Sequence, residues 1–166
     1  MGKHTAIIGL GGNLNDTVQC LQDALVEIGA LPGTAVVKAS SLYKTQAQGF
    51  MDQPDYTNQA AIVETELEAK ELLKALRVIE ENHGRLRPFK GAPRTLDLDV
   101  IDFDGRVDGD PELTLPHPRS QFRAFVLVPL QEIAPDYRFP DSKLTAGECY
   151  AKLDDLDEQK VVKLDV

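Results

Sequence analysis

Residues 5–10 form a short apolar run closed by Gly11-Gly12-Asn13, the pattern of a buried strand. Asn15 or Asp16 then offers a helix cap. Val18, Leu21, Leu25 and Ile28 recur at helical spacing until Gly29 ends the stripe. Leu31-Pro32-Gly33 is a turn, and the pattern beyond it predicts one strand over 34–45, where Val36, Val37, Ala39, Leu42 and Tyr43 suit a pleated surface. A polar loop over 46–55 leads to a strand at 56–64. Residues 68–83 carry the clearest helix, with Leu72, Leu73, Leu76 and Ile79 on one face and Gly84 as its carboxyl-terminal cap. A basic loop then enters a strand in which Asp97 and Asp99 alternate with Leu96, Leu98 and Val100. Asp104-Gly105 turns the chain, and 113–115 is a short return element. Residues 125–133 read as helical with Pro129 near the start, 144–153 as a further helix, and 160–164 as a last strand. The order β, α, β, β, α, β predicts an α+β fold: a ferredoxin-like plait, mostly antiparallel, with helices packed on the sheet. At 166 residues one domain, 1–166, is expected.

The candidate chemistry starts from the alternation at 96–100. Side chains two apart on a strand share a face, so Asp97 and Asp99 point together while their neighbours enter a core. Two such carboxylates repel unless a cation lies between them. Hard oxygen ligands favour Mg²⁺, which takes one or two carboxylates and completes its shell with water and phosphate oxygens. Charge supports this. Arg85, Arg87, Lys90 and Arg94 lie in 85–95, and Arg119 and Arg123 in 117–125, with no acid in either segment. The rest of the chain sets 12 basic residues against all 27 acidic ones. Guanidinium forks beside a metal-binding strand suit a polyphosphate. A solvated basic loop is the plainer interpretation of the charge run alone.

A net charge of −9 argues against general nucleic-acid binding. No run approaches the roughly 20 apolar residues of a spanning helix, and there is no apolar signal core. Cys20 and Cys149 are too few and too far apart for a disulfide framework or zinc site, which points to reduced thiols in a cytoplasmic protein. His117, held between Pro116 and Pro118 and close to Arg119 and Arg123, is placed to donate to a phosphate oxygen. Tyr56 and Asn58, two apart on a strand, with Phe125 and Phe50 elsewhere, combine aromatic faces with an amide able to read a flat heterocycle. Gly9-Leu10-Gly11-Gly12-Asn13-Leu14 is a weak dinucleotide fingerprint, because Leu14 stands where a third glycine belongs.

Together these residues carry a family resemblance. Residues 90–101 resemble the signature of 6-hydroxymethyl-7,8-dihydropterin pyrophosphokinases: a basic residue, small residues, Arg94, then Asp97-Leu98-Asp99. Gly11-Gly12-Asn13-Leu14, Ser40-Ser41-Leu42-Tyr43-Lys44-Thr45, Asp52-Gln53-Pro54-Asp55-Tyr56 with Asn58, and Leu115-Pro116-His117 through Arg123 and Phe125 follow in the family's order. The resemblance implies pyrophosphoryl transfer from ATP to the hydroxymethyl group of a reduced pterin, releasing AMP. It implies two Mg²⁺ ions on Asp97 and Asp99, with Arg85, Arg87 and Arg94 closing over ATP. His117 and Arg123 would bind phosphates, while Glu80, Thr114 and the Val100 backbone would lie at the nucleotide. Thr45, Tyr56, Asn58 and Phe125 would form the pterin pocket. Gly91, Arg77, Pro118 and Gln46-Ala47-Gln48 depart from the family's usual residues.

ATP and a reduced pterin are therefore the expected partners of a monomer that binds neither nucleic acid nor membrane. Two other functions compete. A regulatory small-molecule-binding module would show no mutual enhancement between ATP and Mg²⁺, and a metal-dependent phosphohydrolase would release inorganic phosphate rather than AMP.

Overall fold

The computed structural model describes residues 3–12, 17–45, 56–83, 96–153 and 161–164. Strand β1 (His4–Gly12) leads to α1 (Thr17–Gly29), β2 (Thr34–Ala39), β3 (Tyr43–Thr45), β4 (Tyr56–Thr65), α2 (Ala69–Asn82) and β5 (Asp97–Phe103). After β5 come a single 3-10 turn (Ser120–Phe122), α3 (Ala124–Ile133), α4 (Ala146–Ala151) and β6 (Val161–Lys163). The sheet runs β5-β1-β4-β3-β6, with β2 beside the other half of β4, and every strand pair is antiparallel. This is the predicted plait, extended at one edge.

Period-two alternation divides the core between the two sheet faces. Ala6, Ile8 and Leu10 of β1, Ala61 and Val63 of β4, and Leu98 and Val100 of β5 pack with Leu21 and Ile28 of α1 and Leu72, Leu76 and Ile79 of α2. Ile7 and Ile101 turn the other way, against Leu127 and Leu130 of α3, Phe139, Ala146 and Cys149. Helices therefore cover both faces. The carboxyl-terminal end of α2 is joined to α1 through His83, whose Nδ1 lies 3.4 Å from Cys20 Sγ and whose Nε2 bonds Glu27. Cys20 and Cys149 are both unpaired and buried.

Four local differences from the sequence-based expectations have identifiable causes. The strand expected over 34–45 breaks at Ser40-Ser41-Leu42. There the Ser40 hydroxyl accepts the Ala60 N–H at 2.9 Å, and Glu132 of α3 accepts the Ser41 N–H at 3.0 Å and the Tyr43 hydroxyl at 2.5 Å. Burial, reinforced by Glu132, pushes the Tyr43 phenol up to about 12, so it remains a donor. At 113–115 only Leu115 pairs, in one bridge to Asp108, because the intervening residues are drawn into turns by Asp108 and Asp110. Pro129 lies in the interior of α3 rather than near its start, where its missing N–H leaves one helical bond unmade. The last helix is shorter than 144–153 because a capping box between Thr145 and Glu148 fixes its start.

His4 ties β1 to the turn after β5. Its Nδ1 meets Asp104 Oδ2 at 2.5 Å and its Nε2 meets Glu68 Oε1 at 3.3 Å. The Asp104 bond, with help from Glu68 and against some desolvation, raises the imidazole above its ordinary 6.5. A group whose folded pKa is raised stabilises fully below its unfolded value and loses that contribution as pH climbs through the folded one. Thermal melts from pH 5.5 to 9 should therefore show wild type exceeding His4→Gln by a few degrees at the acid end, the gap closing as pH rises. A gap that widens with pH would contradict the assignment.

Candidate active site

The strand register sets a floor on the face opposite α1 and α2. Asp97 stands opposite Gly11, which stands opposite Asn58, which pairs with Tyr43; one pleat along, Asp99 stands opposite Gly9, which stands opposite Ala60. Two acids on the edge strand thus face a side-chain amide across bare glycine backbone. Above this floor is a cavity of about 490 Å³, lined also by Thr45, Tyr56, His117, Ser120, Phe122, Arg123 and Phe125. The glycines make room for it. A Cβ on Gly11 would lie 2.4 Å from Asn58 Oδ1, and one on Gly9 would lie 3.0 Å from the end of Ile101. Asn58 is buried and donates from Nδ2 to Thr45 Oγ1 at 3.3 Å, which leaves its carbonyl over the glycine.

A bulge positions the opposite wall. The β1–β5 register shifts between Ile7 and Ile8, so that Ile101 is the extra residue between Asp102, opposite Ile7, and Val100, opposite Ile8. The carbonyl of Ile101 then accepts the His117 N–H at 2.8 Å, fastening the loop after the cis Leu115-Pro116 bond to the acid-bearing strand. His117 Nδ1 accepts the Arg119 N–H at 3.3 Å, and its carbonyl takes both the N–H and the hydroxyl of Ser120. Burial, aided by Arg123 and Arg119 and opposed by Asp99, lowers the His117 pKa. The imidazole is thus neutral, with its proton on Nε2, available to donate. Arg123 lies with its guanidinium 5.4 Å from the centre of the Phe125 ring, an aromatic face under a cation at the cavity wall.

Of the residues singled out from the sequence, Asp97, Asp99, Thr45, Tyr56, Asn58, His117, Arg123 and Phe125 come together in this cavity. Glu80, Val100 and Thr114 do not line it. Glu80 is 1% exposed, its oxygens taken by Arg77 Nη1 at 2.8 Å and the Leu98 N–H at 2.7 Å. Val100 packs its side chain into the core on the other face, and the Thr114 hydroxyl donates to the Asp110 carbonyl. Arg85, Arg87 and Arg94, with Lys90 and Phe50, lie outside the described residues. Gly9 and Gly11, part of the weak dinucleotide fingerprint in the sequence, are instead two apart on a strand, as the acids are. Phe122, 68% exposed at the cavity rim, has no sequence pattern to mark it.

Among the described residues no group of three or more His, Cys, Asp or Glu side chains could hold a metal ion by itself. Two carboxylates without sulfur or a third protein ligand suit a hard divalent cation that takes its remaining oxygens from a substrate. No helix among the described residues is long and apolar enough to cross a membrane.

Comparison with known proteins identifies the family and the fold. The model of the family described as 7,8-dihydro-6-hydroxymethylpterin-pyrophosphokinase (HPPK) matches residues 7–135. The 2-amino-4-hydroxy-6-hydroxymethyldihydropteridine pyrophosphokinase of Synechocystis sp. is 43% identical over 151 residues, covering 91% of this chain and 77% of that protein. The enzyme of the same name from Haemophilus influenzae is 44% identical over 140 residues, covering 84% of this chain and 88% of that protein. The fold matches the crystal structure of Plasmodium falciparum HPPK-DHPS at a TM-score of 0.74 and 15% identity, over 96% of this chain but only 45% of that much longer one. By its sequence along most of its length and by its fold, this chain belongs to the 7,8-dihydro-6-hydroxymethylpterin-pyrophosphokinase family.

Proposed function

We propose that the chain transfers pyrophosphate from ATP to 6-hydroxymethyl-7,8-dihydropterin in folate biosynthesis, and that the cavity beside Asp97 and Asp99 holds both reacting ends. The hydroxymethyl oxygen attacks the β-phosphorus, the bond from that phosphorus to the α,β-bridging oxygen breaks, and AMP leaves. The observation that carries this reading is that Asp97 and Asp99 line one cavity with the Asn58 amide, Asp97 lying directly across bare Gly11 from it.

Asn58 reads the polar edge of the pterin, held in orientation by Thr45, while Tyr56 and Phe125 supply flat faces for the ring. His117, neutral and protonated on Nε2, donates to a phosphate oxygen, and Arg123 adds a fixed positive charge beside it. Asp97 and Asp99 would hold two Mg²⁺ ions beside the triphosphate, and such ions would supply neutralisation of phosphate charge and a more electrophilic phosphorus. Arg85, Arg87 and Arg94 are assigned to closure over ATP, with Thr114 and the Val100 backbone on the nucleotide side; these assignments rest on the family resemblance. The chain is read as one pyrophosphokinase domain over 1–166, acting as a cytoplasmic monomer.

The test is incubation with ATP, Mg²⁺ and the reduced pterin, followed by separation of the nucleotides. AMP and pterin diphosphate should appear in equal amounts and disappear when EDTA is added. ADP or inorganic phosphate in place of AMP would overturn the reading.

A further inference from the structure

Among the described residues, β5 has a strand neighbour on one side only, β1. On the other side α2 packs along it. Leu98, the residue between the two acids, spends its backbone groups on that helix: its N–H donates to Glu80 Oε2 at 2.7 Å and its carbonyl accepts from Arg77 Nη1 at 2.8 Å. The same Arg77 nitrogen donates to Glu80 Oε1 at 2.8 Å, closing a ring of three hydrogen bonds. Arg77 and Glu80 are three apart on α2 and so share one helix face. The pair reproduces with side chains what a neighbouring strand would offer one residue: an acceptor for its N–H and a donor for its carbonyl.

The position of this clamp matters. A buried carboxylate is tolerated only when it is paired and hydrogen-bonded, and Glu80, 1% exposed, is both. The bonds it makes fix the pleat at Leu98, whose side chain is fully buried beneath the sheet. Fixing that pleat forces the residues on either side to project from the opposite face.

We propose that Arg77 and Glu80 are positioning residues that hold the edge strand in the pleat at which Asp97 and Asp99 share a divalent-cation site. This rests on the reading above that the two acids hold the cations. The role differs from contact with the nucleotide, because the clamp acts through the backbone of Leu98.

The test uses Mn²⁺ in place of Mg²⁺, with α,β-methylene-ATP as a nucleotide that cannot react. Glu80→Gln should weaken Mn²⁺ affinity, followed by electron paramagnetic resonance, about tenfold, the range seen when groups supporting metal ligands are removed. Hydrogen exchange at the Leu98 amide should quicken, while analogue binding in excess EDTA and the pterin KM stay unchanged. Arg77→Gln, which leaves the Leu98 N–H bond in place, should give a smaller loss of the same kind and serves if Glu80→Gln fails to fold. Faster exchange at Leu98 with unchanged Mn²⁺ affinity would overturn the proposal. So would an equal loss of analogue binding in EDTA, which would make Glu80 a nucleotide contact. If wild type itself shows no divalent-dependent binding, the assignment of the acids to cations fails instead.

Discussion

Asp97→Ala and Asp99→Ala are each expected to cut AMP formation by about three orders of magnitude or more, with melting temperatures at or slightly above wild type. A bound cation acting as a Lewis acid on phosphoryl oxygen is worth several kcal/mol, and each 1.36 kcal/mol is tenfold in rate, so a loss of about 4 kcal/mol gives the thousandfold figure. The fold should not suffer. Both side chains line the cavity rather than either core cluster, and removing one of two like charges on a shared face relieves repulsion. The double variant should be little worse than either single one, because groups that act as a unit are not additive. AMP chromatography and thermal melts on the same samples check both halves. A tenfold loss in the singles that multiplies in the double would mean that the acids act separately and weakly.

Gly11→Ala should raise the KM for the pterin by about a hundredfold while changing that for ATP less than twofold. The new Cβ would sit 2.4 Å from Asn58 Oδ1, so the amide must swing away. The movement costs folding little, since the clashing atom is the end of a side chain. It costs recognition much more, because a site built to hydrogen-bond a substrate discriminates by orders of magnitude when that bond is lost. Gly9→Ala is the control: its Cβ meets only the tip of Ile101 at 3.0 Å, which can give way. Steady-state kinetics with each substrate varied in turn distinguish the two. An equal rise in both constants for Gly11→Ala would mean that the substitution loosens the sheet and leaves no specific mark on the pterin pocket.

These two sites also show what the sequence makes legible. The facing acids can be read from 96–100 because a strand has period two and the flanking residues are apolar, so only one orientation buries them. The helix bearing Leu72, Leu76 and Ile79 is equally plain, since its stripe is set within 14 residues. Harder to read are features whose cause lies far along the chain. The break after Ala39 depends on Glu132, whose carboxylate reaches Ser41 from α3 across 91 positions. The seating of His117 depends on a bulge that exposes one carbonyl of β5. The commitment of Glu80 to Leu98 needs the helix and the edge strand to be docked first. Glycines on a strand read as weakness or as a loop until register shows what lies across from them.

The sheet face beneath α3 and α4 is filled at one end by Leu127, Leu130 and Phe139, and at the other end its acids, glycines and amide line a cavity. A pterin ring bound there, as proposed, would continue the layer that those side chains begin. Saturating ligand should accordingly behave like part of the interior, tying the edge strand, the histidine loop and the start of α3 into a single unit that comes apart together.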